Sequence, residues 1–80
     1  MNTLREDINK LILRRLAEAG EPFSEGELCA HVGHRISQAD YPAIMAALCD
    51  LESGGLVMRF ARRTGTRWAI TDAGKLEIFQ

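Results

Sequence analysis

A helical stripe, a pair of glycines and an arginine-rich hairpin follow one another between Asp40 and Asp72, and this order constrains the fold more than any other feature. Apolar residues recur in the first part with the spacing i, i+3, i+4, i+7: Ile44, Ala47, Leu48 and Leu51. This periodicity predicts a helix with one face packed on a core. The other face is left for solvent or for a partner and carries Tyr41, Met45, Ala46, Cys49 and Asp50.

Asp40 is the predicted N-cap of this helix, because its carboxylate accepts from backbone N–H groups that have no partner in the first turn. Pro42 fits the same boundary, since a proline in the first turn has no needed donor to lose. With Ser37 as the cap, Pro42 would lie one residue too deep. Gly54 and Gly55 are predicted to end the helix by accepting positive φ.

Two runs of mixed apolar and basic residues, 56–62 and 67–70, predict a β-hairpin that is half-packed on helices. The turn is predicted at residues 63–66, with Gly65 taking positive φ. Four arginines cluster within nine residues around its tip: Arg59, Arg62, Arg63 and Arg67. The guanidinium fork suits phosphate oxygens and the narrow minor groove of DNA.

The net charge of −1 is unevenly distributed along the chain. Residues 1–55 hold five basic residues against nine acids, which gives −4, whereas residues 56–80 hold five against two, which gives +3. A positive hairpin end and a negative helical end form a polarity that suits a surface facing nucleic acid.

A first helix is predicted to begin with a capping box formed by Thr3 and Glu6. Its apolar stripe comprises Leu4, Ile8, Leu11, Ile12, Leu16 and Ala19. Leu13 falls off this stripe and is predicted to be a singly exposed leucine, with a dimer contact as the alternative. Gly20 and Pro22 mark the end of the helix.

A hydrophobic staple and a capping box predict the start of the second helix: Phe23 with Leu28, and Ser24 with Glu27. The second helix is predicted to run to about Val32, with Gly33 as its C-terminal glycine. Residues 33–39 then turn into the Asp40 helix. After the hairpin, Thr71 is predicted to cap a short last helix, in which Leu76 and Phe79 dock on the first helix.

Residues 48–57, the Arg- and Gly-containing hairpin and residues 68–74 (WAITDAG) together resemble the winged helix-turn-helix regulators of the MarR and PadR kind. In those families a helix ending in a Leu-Glu-x-x-Gly-Leu-Val-like segment leads into the wing, and a Leu-Thr-x-x-Gly-like segment opens the next helix. The resemblance covers about residues 4–79. It implies one α+β domain over residues 1–80, with a three-helix core, a two-stranded β wing, a short strand near residues 21–23 and a short C-terminal helix.

The resemblance implies a transcriptional regulator, of bacterial or phage origin, that binds double-stranded DNA. A cytoplasmic location is expected separately, because the sequence shows no membrane helix or signal peptide. The helix after Asp40 would lie in the major groove and the wing on the backbone or minor groove, and Arg14 and Arg15 could add backbone contacts. The candidate DNA-binding residues are Arg35, Ser37, Gln38, Tyr41, Met45, Arg59, Arg62, Arg63, Thr64 and Arg67.

The alternative is a winged-helix module that binds a protein partner, or a second copy of itself, without binding DNA. No Arg, Lys or Asn occurs between Gln38 and Ser53, although these residues and Gln make the commonest discriminating base contacts. Asp40 and Asp50 would repel phosphate if they faced it. The small and soft residues on the outward helix face suit helix docking.

The sequence gives little support to other chemistry. The zinc-ligand types Cys29, His31, His34 and Cys49 match no strong zinc spacing, so buried reduced thiols and surface histidines are expected, with no metal site. No Gly-rich phosphate loop, activated nucleophile or paired catalytic carboxylates occur, and no enzyme activity, catalytic residue or cofactor is predicted. No apolar run approaches the ~20 residues of a membrane helix, and residues 1–7 lack a signal-peptide pattern, so a soluble protein is expected.

Overall fold

A computed structural model of the protein describes residues 4–78. The elements in chain order are α1 (Leu4–Ala19), β1 (Phe23–Ser24), α2 (Glu25–Arg35), α3 (Tyr41–Ser53), β2 (Val57–Arg62), β3 (Gly65–Ile70) and α4 (Asp72–Ile78). The strands form one antiparallel sheet in the order β1-β3-β2. This is the predicted arrangement of helices, short strand and wing. The predicted capping by Thr3 and docking of Phe79 lie outside the described residues. The predicted docking of Leu76 on α1 is wrong, because Leu76 is 65% exposed.

A single apolar cluster joins the helices to the inner face of the sheet. Trp68, at 0% exposure, lies within it and is paired with Phe23 across β1 and β3. The stripe predicted for α3 is confirmed, because its four members are all buried: Ile44, Ala47, Leu48 and Leu51. Fully burying a large apolar side chain contributes roughly 1.5–3 kcal/mol, so these residues fix α3 against the sheet.

The prediction that Leu13 is exposed is wrong, because Leu13 has 3% exposure and belongs to the core cluster. The helix α1 packs against α2 and α3 and also against α4, so its buried surface is wider than one stripe. Leu13 lines a cavity of about 280 Å³ together with Leu51, Leu56 and Ile78. Leu4, which was placed on the buried stripe, is 43% exposed at the N-terminal end of α1.

The predicted end of α2 near Val32 is also wrong, because the helix continues to Arg35 and the turn to α3 comprises only residues 36–40. Gly33 lies inside the helix and has no positive φ. The helix ends where Ile36 becomes extended, while its N–H still donates to the Val32 carbonyl at 2.8 Å. A glycine inside a helix lowers the stability of the helix by only about 1 kcal/mol relative to alanine. The burial of Val32 in the core offsets this loss.

The predicted N-caps of α2 and α3 are confirmed. The Glu27 N–H donates to Ser24 Oγ at 3.2 Å, and the Ala43 N–H donates to Asp40 Oδ1 at 3.0 Å. Each cap satisfies a backbone donor of the first turn and so fixes the residue at which its helix begins.

The glycines around the wing differ partly from the prediction. After α3, Gly55 has φ +76°, whereas Gly54 is right-handed with φ −81°. At the tip, Gly65 has the predicted positive φ but already belongs to β3, where it pairs with Arg62. The hairpin turn is therefore shorter than the predicted four residues and leaves residues 63–64 at its end.

Thr71 opens α4 and ties it to the linker between α3 and β2. The Gly74 N–H donates to Thr71 Oγ1 at 3.1 Å, which confirms the predicted cap, and the Thr71 hydroxyl donates to the Gly55 carbonyl at 2.6 Å. The Thr71 N–H donates to the Leu56 carbonyl at 3.0 Å. Gly74 lies so close to this linker that a Cβ would overlap the Leu56 carbonyl oxygen and lie 2.6 Å from Ile70 Cγ1.

Candidate nucleic-acid interface

The turn before α3 places four of the candidate residues on the surface. Arg35 ends α2, Ser37 and Gln38 lie in the turn, and Tyr41 begins α3; all four are exposed. The Tyr41 hydroxyl donates to Glu25 Oε2 at 3.1 Å, and this hydrogen bond and the charge of Glu25 raise the pKa of Tyr41. Tyr41 therefore stays a neutral donor with its hydroxyl directed to α2, while Ser37 and Gln38 are available to a partner.

The outward face of α3 carries no cation, and Asp50 is its one acid. Met45 is half-buried and packs against the core, so it is less available than Cys49, which is exposed. The carboxylate of Asp50 is paired with Arg5 of α1. Because that pair neutralises Asp50, the acid contributes less repulsion to a phosphate than an unpaired carboxylate would.

The tip of the wing presents two exposed arginines, Arg62 and Arg63. Thr64 is exposed as well. Within residues 4–78 neither arginine forms an ion pair, and the Arg62 guanidinium lies over the Phe60 ring, 5.7 Å from its centre. An exposed guanidinium that is not already paired keeps its full charge for an external anion.

The other two wing arginines are held by carboxylates on helices. Arg59 Nη2 lies 2.8 Å from Glu52 Oε1 of α3, and Arg67 Nη1 lies 3.6 Å from Glu27 Oε1 of α2. The hairpin therefore brings the four predicted arginines together. Within residues 4–78, Arg59 and Arg67 at its base form ion pairs with carboxylates, whereas the two arginines at its tip form none. The sequence carried no signal for these pairs, because the partners come from separate elements.

A second basic group lies between α1 and α2. The Arg15 guanidinium covers the Phe23 ring at 4.9 Å, and the positive charges of Arg35 and Arg15 act on His31. The spacing of His31 and Arg35 by four residues was visible in the sequence, since such residues share a helix face. The approach of Arg15 depends on how the helices pack.

The prediction of buried thiols is wrong, since Cys29 is half-buried and Cys49 is exposed. Burial, followed by the charge of Glu25, raises the pKa of Cys29, so this thiol stays protonated at neutral pH. No group of three or more His, Cys, Asp and Glu side chains in the described part of the chain is arranged to hold a metal ion. Likewise, none of the helices between residues 4 and 78 has the length and apolar character needed to cross a membrane.

The stability of the protein should fall at acid pH partly through His31. Burial, then the charges of Arg35 and Arg15, lowers the pKa of His31 from its ordinary value of 6.5. The unfolded chain therefore takes up this proton at a higher pH, so the stabilisation is present above pH 6.5 and is lost as the pH falls towards the folded pKa. His31→Gln should flatten the decline of the thermal midpoint between about pH 7.5 and pH 5.

The matched control is His34→Gln, an exposed histidine of the same helix whose charge is the smallest of the contributions to the His31 pKa. Thermal unfolding followed by circular dichroism gives the midpoints at each pH. If His31→Gln and the unaltered protein show the same decline, His31 does not contribute to the pH dependence.

Comparison with known proteins identifies solved structures with a similar fold. No protein-family model matches the chain, and no curated protein matches its sequence. TA0346 from Thermoplasma acidophilum, a candidate transcriptional regulator, has 27% identity and a TM-score of 0.77 over 95% of this chain and 77% of that chain. The transcriptional regulator BldR from Sulfolobus solfataricus has 26% identity and a TM-score of 0.71 over 92% of this chain and 50% of that chain.

The chain thus spans about three quarters of the length of TA0346 and half the length of BldR. Both solved structures match the fold of this chain over more than nine tenths of its length. The predicted α+β winged-helix fold is confirmed, and the chain is a winged helix-turn-helix protein that resembles transcriptional regulators of the MarR type.

Proposed function

We propose that the chain binds double-stranded DNA as a transcriptional regulator, with the start of α3 in the major groove and the wing tip on the backbone or minor groove. The observation that carries the proposal is that Arg62 and Arg63, at the end of the wing, form no ion pair with any residue between 4 and 78. Two unpaired guanidinium groups at the projecting end of a regulator fold suit phosphate binding, because each phosphate neutralised releases condensed counterions.

In the proposed complex, residues of the turn before α3 contact the edges of the bases. Gln38 is exposed there, and a Gln side chain can pair with adenine through two hydrogen bonds. Ser37 lies beside it and can contact several bases, whereas Arg35 at the end of α2 supplies a backbone contact. The phosphate contacts provide most of the affinity, and Gln38 provides most of the sequence preference.

Replacing Gln38 by alanine should therefore change the preference at one or two base pairs by about 1–3 kcal/mol and leave the salt dependence of binding unchanged. Selection of bound duplexes from a randomised library gives the preference of each variant. Ser53→Ala, at the far end of α3, is the matched control. An identical set of selected sequences for Gln38→Ala and the unaltered protein would exclude Gln38 as a base reader.

The placement of DNA on the surface is tested by amide chemical-shift mapping with a short duplex. The largest shifts should fall in residues 35–41 and 60–66, which lie in the turn before α3 and around the wing tip. Shifts confined to α1 and α4, or no shifts at all, would contradict the proposal.

One observation favours a second candidate function, which is protein binding through α3. Its outward face carries no cation and exposes Cys49 beside the half-buried Met45. Such residues adapt well to an apolar partner surface. Cys49→Lys separates the two functions, because Cys49 is exposed and the change leaves the core intact. An added cation on a groove-facing helix should tighten DNA binding, whereas a protein-docking face should leave DNA binding unchanged.

A further inference from the structure

The wing is joined to α3 by a two-point contact between Arg59 and Glu52. Arg59 Nη2 lies 2.8 Å from Glu52 Oε1, and Arg59 Nε lies 3.1 Å from Glu52 Oε2. One guanidinium therefore engages both carboxylate oxygens, in a planar fork geometry that a lysine ammonium does not reproduce.

Trp68 holds the same guanidinium from within the sheet. Arg59 and Trp68 are direct partners in the β2–β3 register, and the guanidinium carbon of Arg59 lies 5.2 Å from the centre of the Trp68 ring. Trp68 is buried in the core and its position is fixed. Arg59 is thus held by a core aromatic ring and by a carboxylate in the last turn of α3.

Resting on the DNA binding proposed above, we infer that Arg59 is a positioning residue that sets the angle of the wing to α3, and that it does not contact phosphate. Its charge is already paired with Glu52, whereas Arg62 and Arg63 at the tip form no ion pair in the part of the chain that the structure describes. A wing held against α3 before binding leaves less ordering to occur in the complex, which favours affinity without adding a phosphate contact.

Two substitutions of opposite electrostatic effect separate a positioning role from a phosphate contact. Glu52→Ala makes the protein more positive and frees Arg59, so a phosphate-binding Arg59 would then bind DNA more tightly. Arg59→Lys keeps the charge but removes the fork, so a phosphate-binding residue would retain most of its effect. A positioning Arg59 predicts weaker binding in both variants, by about two- to five-fold.

Fluorescence anisotropy with a labelled random-sequence duplex, measured at several salt concentrations, gives both the affinity and the salt slope. Glu52→Ala and Arg59→Lys should weaken binding at every salt concentration and leave the slope unchanged. Arg63→Gln is the matched control and should reduce the slope by about 0.9, the value for one lost phosphate contact. The double variant Glu52→Ala/Arg59→Lys should bind DNA about as tightly as whichever single variant binds more weakly, because both substitutions break the same Arg59–Glu52 contact.

Trp68 is the only tryptophan in the sequence and reports on the contact in the free protein. Acrylamide quenching of its fluorescence should increase in Glu52→Ala and Arg59→Lys and remain unchanged in Arg63→Gln, because only the first two loosen the side chain that covers the ring. The side chains of Arg59 and Glu52 are 51% and 32% exposed, so these variants are expected to fold, and circular dichroism checks that they do.

The outcomes distinguish this inference from the proposed function. Tighter or unchanged DNA binding by Glu52→Ala, together with DNA binding by the unaltered protein, overturns the positioning role and leaves the proposed function standing. Absence of DNA binding by the unaltered protein overturns the proposed function and the positioning role with it.

Discussion

Replacing Gly74 by alanine is expected to destabilise the protein by about 2–3 kcal/mol, because the added Cβ overlaps the Leu56 carbonyl oxygen and crowds Ile70. Neither the linker nor α4 can move freely, since Leu56 accepts from the Thr71 N–H and Gly74 donates to Thr71. A domain of this size has a total stability of about 4–12 kcal/mol, so the loss is a large fraction of it. The thermal midpoint should fall by roughly 10–20 °C.

Gly26→Ala is the matched control for this effect. Gly26 lies in α2, where an added Cβ would meet only Ser24 Oγ at 3.9 Å. The same substitution there should stabilise the protein slightly, by up to about 1 kcal/mol, because alanine loses less backbone entropy in a helix. Thermal unfolding followed by circular dichroism gives the midpoints of both variants. An unchanged midpoint for Gly74→Ala would contradict the prediction and would show that the linker moves to accommodate the added Cβ.

Replacing Arg62 and Arg63 together by glutamine is expected to have the largest effect on DNA binding. Two phosphate contacts should be lost, so the log–log salt slope should become less steep by about 1.8. If the affinities of the two proteins converge near about 1 M salt, this slope corresponds to a roughly 10²-fold loss at about 50 mM. The loss should be similar for all duplex sequences, because phosphates carry no sequence information.

Two controls separate a local contact from a change in overall charge. Arg62→Lys with Arg63→Lys keeps both charges and should keep the slope. Lys75→Gln removes an exposed charge of α4, outside the wing, and should leave the slope unchanged. DNA affinity that is unchanged in the double-glutamine variant would remove the wing from the interface.

Local signals in the sequence were sufficient for much of the fold. The period of α3 identified its four core residues, and Ser24, Asp40 and Thr71 were found as caps because each side chain bonds to a backbone N–H only a few residues away. Gly65 was found because the hairpin end requires positive φ. These features depend on neighbours in the chain, which a single sequence displays.

The errors concern contacts between distant parts of the chain. Leu13 was misplaced because α4 covers a second side of α1, and periodicity within α1 does not show how many neighbours a helix has. Gly33 has the local preference of a helix end, but the burial of Val32 and the cap at Ile36 keep it inside α2. In both cases tertiary packing decided the structure against the local pattern.

The sequence predicts where the candidate site lies, but it does not predict which of its arginines form ion pairs. The sequence shows that the arginines of the hairpin lie close together. It does not distinguish Arg62 and Arg63 from Arg59, which forms an ion pair with Glu52. That distinction requires the distance between α3 and β2, which no sequence spacing encodes. The roles of these residues in DNA binding stay predictions, and the variants above address each of them.

The most direct test of DNA binding is the salt dependence of fluorescence anisotropy for the unaltered protein with a labelled random-sequence duplex. Arg35, Arg62 and Arg63 are exposed and form no ion pair within the described residues, so three phosphate contacts are expected. At about 0.9 per contact, the log–log slope should be roughly −3. Absence of binding at low salt, or a slope near zero, would contradict DNA binding and favour protein binding through α3.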